Sequence, residues 1–227
     1  MLNDENSYNE NFYQVGPTTI RTSSIIQLIV AILDPKAFDY LRSKNQLGYS
    51  VGVSVEKKGD IYSMAIAVSS QEDKHSYVEV YQKMETFMNE IAKKAIEELT
   101  DEEFENFKQA RIKMLEADDL ELSDEVNRYW REIVQQNFVF DRVEKAIRAT
   151  KSLIKSDIQD FFKSFTEPDN MRKLSIQVIG HPQNADISIE NDLDRELRIS
   201  FLEEKISEDE NIIIDIQDFK NKMFLYP

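Results

Sequence analysis

The sequence predicts an α+β fold, a mostly antiparallel sheet covered on one face by helices. Three observations carry that reading: an alternating β-hairpin over 47–69, a series of amphipathic helical segments after it, and an alternating strand at 174–179. The order is therefore strand, helices, hairpin, several helices, strand. With 227 residues of which 41% are apolar, the chain is expected to form one domain over 1–227 around a substantial core.

The first strand is read over Asn11 to Thr19, where Phe12, Tyr13 and Val15 precede a Gly16-Pro17 turn. Thr22, Ser23 and Ser24 are candidate caps for a helix over Ile25 to Leu33, whose Ile25, Leu28, Ile29 and Ile32 recur at three- and four-residue spacing. Asp34-Pro35 is expected to restart the chain as a second helix carrying Ala37, Phe38, Leu41 and Arg42, because proline is tolerated in a first turn but not in an interior.

Leu47 to Glu56 alternates at Tyr49, Val51, Val53 and Val55, the period of a strand with one buried face. Lys57 to Asp60 supplies the turn, and the partner strand Ile61 to Ser69 places Tyr62, Met64, Ile66 and Val68 on one face. A long helix over roughly Lys74 to Leu99 follows, with an apolar stripe of Tyr77, Tyr81, Met84, Met88, Ile91 and Ala95.

Thr100 and Glu103 form a capping box that opens a helix to about Ala117. Ser123 begins another, with Val126, Tyr129, Trp130 and Ile133 on one side, and Asp141 to Thr150 is a shorter one. Ser156 with Gln159 reads as a second capping box ahead of Phe161, Phe162 and Phe165. Residues 186–210 hold ten acidic side chains against three basic ones, the composition of a solvated acidic loop.

Charge narrows the partners. Lys+Arg 28 against Asp+Glu 43 gives a net charge of -15, which repels a phosphate backbone and excludes nucleic acid, whereas a basic peptide is favoured. The apolar run Ile25 to Leu33 is far shorter than the ~20 residues of a membrane span, so no membrane association is expected. Cysteine is absent and the N-terminus is acidic where a secretory signal is basic, so the expected compartment is the cytoplasm, with the cell surface or exterior open to a larger parent.

Chemistry is sparse in the residues themselves. An inverted zinc site needs H-x-x-E-H on a helix, two imidazoles one turn apart with a carboxylate to activate water, and the sequence lacks it. Its histidines are His75 and His181, far apart in the chain, each read as a structural or surface side chain. Asp192, Asp194, Glu196 and Glu203 match four positions of a calcium loop, but Leu197 stands where that loop requires glycine. No nucleophile elbow or phosphate loop is present.

One stretch carries more. Phe38-Asp39-Tyr40-Leu41-Arg42-Ser43-Lys44-Asn45-Gln46-Leu47-Gly48-Tyr49 resembles the F-x-x-L-R-x-K-x-Q-L-G-Y motif of the pitrilysin-type zinc metallopeptidases, in the branch of nardilysin and insulin-degrading enzyme. Tyr13 to Pro17, Glu125 to Trp130, Phe140 to Arg142, Leu174 to Gly180 and Ile216 to Lys220 extend the resemblance over nearly the whole chain. In that family a long chain folds as four homologous domains around a peptide chamber, and zinc is bound in the first. This sequence resembles the fourth, C-terminal domain, which lacks metal ligands.

The resemblance implies a zinc endopeptidase in which this segment encloses substrate, assists catalysis only beside an N-terminal peptidase half, and is inactive alone. Taken by themselves, Arg42 reads as a helix-surface charge and Tyr49 as a strand aromatic. By resemblance, both face the zinc site across the chamber and contact substrate near the scissile bond, where one donor aimed at developing negative charge contributes ~3 kcal/mol. Gln46, Leu47 and Gly48 shape the helix-to-strand turn, Gly48 by allowing close backbone approach. The family's long acidic insertion belongs to its first half and is not equated with 186–210. An alternative is a non-catalytic, peptidase-like scaffold or protein-binding domain. An isolated domain of this kind is expected to self-associate through its exposed interdomain face.

Overall fold

The computed structural model describes residues 5–58, 61–71 and 73–180, so the acidic stretch 186–210, His181 and the calcium-like spacing lie outside the described residues. The described residues lie within one compact unit, Met1–Gln183.

Four strands form one antiparallel sheet in the order β2-β3-β1-β4: β1 (Asn6–Pro17), β2 (Ser50–Lys58), β3 (Ile61–Gln71) and β4 (Lys173–Val178). The first strand starts five residues before the expected Asn11, because Asn6 to Glu10 continue the ladder with β3 as far as Asn6↔Gln71. Polar side chains hid this extension: Ser7, Asn9 and Asn11 occupy the buried face in place of an apolar alternation. The hairpin stands as expected, with pairing that runs from Ser50↔Ser69 to Lys58↔Ile61.

Helices cover one face of the sheet. Helix α1 (Ile20–Ala37) lies across it, in contact with β2 on one side and with the later helices on others. Its buried residues, among them Ile25, Ile26, Leu28, Ile29, Ile32 and Leu33, surround most of the helix, as suits an element enclosed between two layers. Full burial of each such side chain contributes roughly 1.5–3 kcal/mol.

The cap is Thr19 rather than Thr22 to Ser24: the Thr19 hydroxyl accepts from the Thr22 N–H at 3.2 Å, and the Thr19 N–H donates to Thr22 Oγ1 at 2.8 Å. The helix also runs through Pro35 instead of restarting there. It passes directly into a π-helical turn, Phe38–Lys44.

After the hairpin, α2 (Tyr77–Thr86), a π-helical turn (Phe87–Ala92) and α3 (Lys93–Glu97) follow one another directly along the expected long helix. The buried residues are Val80, Met84, Phe87, Met88, Ala92 and Ile96, a stripe rotated from the expected one. Beyond Met88 the wider π turn accounts for the shift from Ile91 and Ala95 to Ala92 and Ile96, since a stripe written at 3.6-residue period drifts where backbone bonds run i→i+5. α4 (Asp101–Leu115) opens on the expected box: the Glu103 N–H donates to Thr100 Oγ1 at 3.2 Å and the Thr100 N–H to Glu103 Oε2 at 3.0 Å.

α5 (Leu122–Val134), α6 (Arg142–Lys151) and α7 (Lys155–Thr166) follow, and α6 and α7 pack against α1. The box expected from Ser156 and Gln159 does not form. Asp157 accepts the Ile154 N–H at 2.9 Å instead, and Gln159 donates to the Ile96 and Glu97 carbonyls, tying α7 to the end of α3. Among the described residues no helix is long and apolar enough to cross a membrane.

A polar seam crosses the core face of β1. Asn11 Nδ2 donates to Glu85 Oε1 at 3.0 Å, and Lys173 Nζ reaches Glu85 Oε2 at 3.0 Å and Tyr81 Oη at 2.7 Å. Burial, and then the charge of Glu85, pushes the Tyr13 phenol well above its ordinary value, so it serves as a neutral donor there.

Candidate functional site

The motif residues fold into the junction between α1 and β2. Asp34 in α1 ties the two elements by accepting the Val53 N–H at 2.8 Å. The π-helical turn that carries Arg42 closes at Asn45, whose N–H and side-chain amide both donate to the Tyr40 carbonyl, at 3.1 and 2.8 Å. The Leu47 N–H then donates to the Leu41 carbonyl at 3.1 Å, and Gln46 between them takes a left-handed conformation with φ 52°. This is a helix end closed by a left-handed residue, the place where glycine is usual and asparagine the next choice, here filled by glutamine. Leu41 and Leu47 are fully buried beneath it and fix the junction to the core.

Gly48 explains how the chain passes from helix to strand. A Cβ there would stand 1.8 Å from the Ser69 carbonyl oxygen and 2.7 Å from its carbon, so the backbone lies directly against β3. Close approach is what requires glycine at this position, as the sequence implies. The next residue, Tyr49, emerges at the start of β2 with 85% of its surface exposed.

The two residues assigned to the site meet. The Arg42 guanidinium carbon lies 4.8 Å from the centroid of the Tyr49 ring and 4.7 Å from that of Phe38. Phe38 is four residues before Arg42 in the π-helical turn, so the two side chains are neighbours on one helix face. Each cation–π contact at such an exposed position contributes about 0.5–1 kcal/mol. Sequence reasoning treated Phe38 as an apolar helix residue; its i, i+4 relation to Arg42 was the available signal.

The electrostatics leave Arg42 uncommitted. Asp39, the acid in the same turn, pairs with Lys44 at 2.8 Å. Among the described residues the Arg42 side chain makes no hydrogen bond or ion pair, although the chain carries a net charge of -15. The aromatic rings contact the guanidinium while its N–H groups stay available, and a planar donor set of that kind matches a carboxylate or peptide carbonyl.

Elsewhere the surface offers less. One cleft of about 590 Å³ lies between α3 and α7, floored by Met88, Ile96 and Phe162, and another of about 400 Å³ lies beside Thr18, Lys57 and Arg142; neither includes Arg42 or Tyr49. His75 lies 3.3 Å from Glu79 Oε2, near the start of α2, and has no second imidazole beside it among the described residues. No group of three or more His, Cys, Asp or Glu among the described residues is placed to hold a metal ion. The donor set therefore does not fit zinc, and no chemistry of these residues is routed through one.

Comparison with known proteins agrees on fold and lineage. Residues 28–130 match the family model described as PQQ synthase PqqF-like, C-terminal lobe domain 4. The chain is 35% identical to human nardilysin over 178 residues, covering 78% of this chain and 15% of that protein. It is 30% identical to human insulin-degrading enzyme over 179 residues, 78% of this chain and 17% of the enzyme. The crystal structure of pitrilysin superposes with a TM-score of 0.68 at 20% identity, over 83% of this chain and 20% of that one. The chain thus spans about a sixth of the length of the two relatives it matches by sequence.

Proposed function

Because the chain belongs to the pitrilysin family of metallopeptidases, corresponding to its C-terminal domain, we propose that it encloses peptide substrate in a zinc endopeptidase and assists catalysis there. The observation that carries this reading is the uncommitted Arg42 guanidinium held beside the exposed Tyr49. Arg42 donates to a peptide carbonyl near the scissile bond, and Tyr49 supplies a phenolic donor beside it. Donors held in place before the reaction favour the transition state as negative charge grows on oxygen. Zinc belongs to an N-terminal peptidase half, since the residues described here offer it no ligand set.

The partners in this reading are that N-terminal half and peptide substrates. A net charge of -15 supports a preference for basic peptides, and a cytoplasmic setting for the parent is part of the same reading. In this reading 1–227 counts as a single domain that is inactive on its own.

The test is made in a parent enzyme that contains this domain. Arg42→Ala is expected to lower kcat/KM on a fluorogenic basic peptide by roughly 10²- to 10³-fold. Tyr49→Phe is expected to produce a smaller loss. Unchanged kcat/KM in Arg42→Ala removes the catalytic role and leaves a non-catalytic, peptidase-like binding domain.

A further inference from the structure

The guanidinium of Arg42 sits at the end of a long, rotamer-rich side chain that must be ordered before it can act, at a cost in conformational entropy. The usual device, an ion pair to a neighbouring carboxylate, is not used: Asp39 is paired with Lys44. Such a pair would also occupy the N–H groups that a ligand needs. A ring can hold the guanidinium while leaving those groups available, because a cation–π contact engages the planar face.

Two rings lie within that distance, and they differ in how firmly they are held. Tyr49 is 85% exposed and follows a glycine. Phe38 is 43% exposed and sits in the π-helical turn itself, directly after the buried Ala37 and three residues before the fully buried Leu41. The less exposed ring is therefore the one on the same rigid element as the arginine. We infer that Phe38 is a positioning residue: its ring holds the Arg42 guanidinium beside Tyr49, so that Phe38, Arg42 and Tyr49 act as one clamp for a peptide carbonyl or carboxylate oxygen. The role in peptide cleavage rests on the function proposed above; the positioning of Arg42 by Phe38 does not.

That difference sets the experiment. In the intact chain labelled at arginine, the Arg42 side-chain protons are expected to carry an upfield ring-current shift, since the guanidinium carbon lies 4.7 Å from the Phe38 ring centroid. Phe38→Leu, which keeps an apolar side chain but removes the ring, is expected to move those signals downfield toward the values of an unordered arginine, whereas Phe38→Tyr keeps them in place. The amide spectrum around Leu41 and Leu47 reports whether the junction stays folded. Should Phe38→Leu disturb it, Arg42→Gln is read from the other side, as a displacement of the Phe38 ring signals. Arg42 signals that stay put in a folded Phe38→Leu, or Phe38 signals that stay put in Arg42→Gln, overturn the inference.

A second arm uses the parent enzyme and a fluorogenic basic peptide. Phe38→Leu is expected to lower kcat about 10-fold with KM changed less than about twofold, and Phe38→Tyr to restore it, since the lost interaction acts in the transition state. Shifted signals with unaltered kinetics keep the positioning and refute the proposed catalytic role. Unshifted signals refute the positioning whatever the kinetics show.

Discussion

Arg42 shows how a single side chain gains a use from what its neighbours decline to do. The acid in its own turn is engaged elsewhere, and two rings supply contact without consuming donors. Glu132 is the opposite case. Only 5% exposed, it accepts two hydrogen bonds from Arg142 and one from the Val139 N–H, and these commit it fully to structure. The hydrogen bond from Arg142, followed by its charge, holds the Glu132 carboxyl below the ordinary glutamate range despite burial.

A lowered folded-state value means that the carboxylate's contribution is complete above the ordinary glutamate range and is lost as pH falls through the lowered one. Glu132→Gln is therefore expected to cost about 2 kcal/mol near neutral pH, the scale of a hydrogen bond to a charged group. The deficit should shrink in acid. Urea midpoints at neutral and acid pH check it, and a pH-independent difference would contradict the assignment. Neither fact about Glu132 was legible in the sequence, where it reads as one more surface acid in a helix rich in charge. Burial of a charged side chain depends on where Arg142 returns in space, and no local pattern encodes that.

At the scale of elements, the junction from α1 to β2 was the most legible feature. A helical period gives way to alternation at Leu47, and the glycine between them is explained by the Ser69 carbonyl packed against it. Gly48→Ala is expected to destabilise the chain by about 1–3 kcal/mol through overpacking against backbone that cannot yield. It should also move Tyr49 away from Arg42. Denaturant melts read the first effect and arginine side-chain shifts the second; a variant as stable as the parent would show that β3 can give way.

Proline at position 35 argued for a break, and the stripe from Tyr77 to Ala95 was drawn at an ideal α period. Pro35 instead stays inside α1, three residues before a π-helical turn begins at Phe38, and along the stripe the π-helical turn Phe87–Ala92 shifts the faces without changing the residue types. Tertiary packing selects such turns, so a propensity reading passes over them. The missed start of β1 has another origin: its buried face carries Ser7, Asn9 and Asn11, and the polar seam to Glu85 and Lys173 takes the place of apolar alternation.

For the whole molecule, the α+β architecture followed from element order alone, and the sheet order adds only which strands meet. The surface carries a further message in α5. Its expected apolar side is present but outward: Val126 and Trp130 are more than half exposed and Tyr129 and Ile133 more than a third, while the helix buries Glu132 instead. An apolar helix face of that kind is characteristic of an interaction surface. The isolated chain is therefore expected to self-associate, with Trp130→Glu weakening it; a strictly monomeric sedimentation profile for the unaltered chain would contradict this.

The most direct test of the central claim is cleavage of a fluorogenic basic peptide, with zinc supplied, by this chain alone, by an N-terminal half bearing H-x-x-E-H alone, and by the two mixed. The account predicts that the mixture is substantially more active than the N-terminal half, that the chain alone is inactive, and that Arg42→Ala abolishes the gain. Cleavage by the chain alone, or a gain that survives Arg42→Ala, would contradict it.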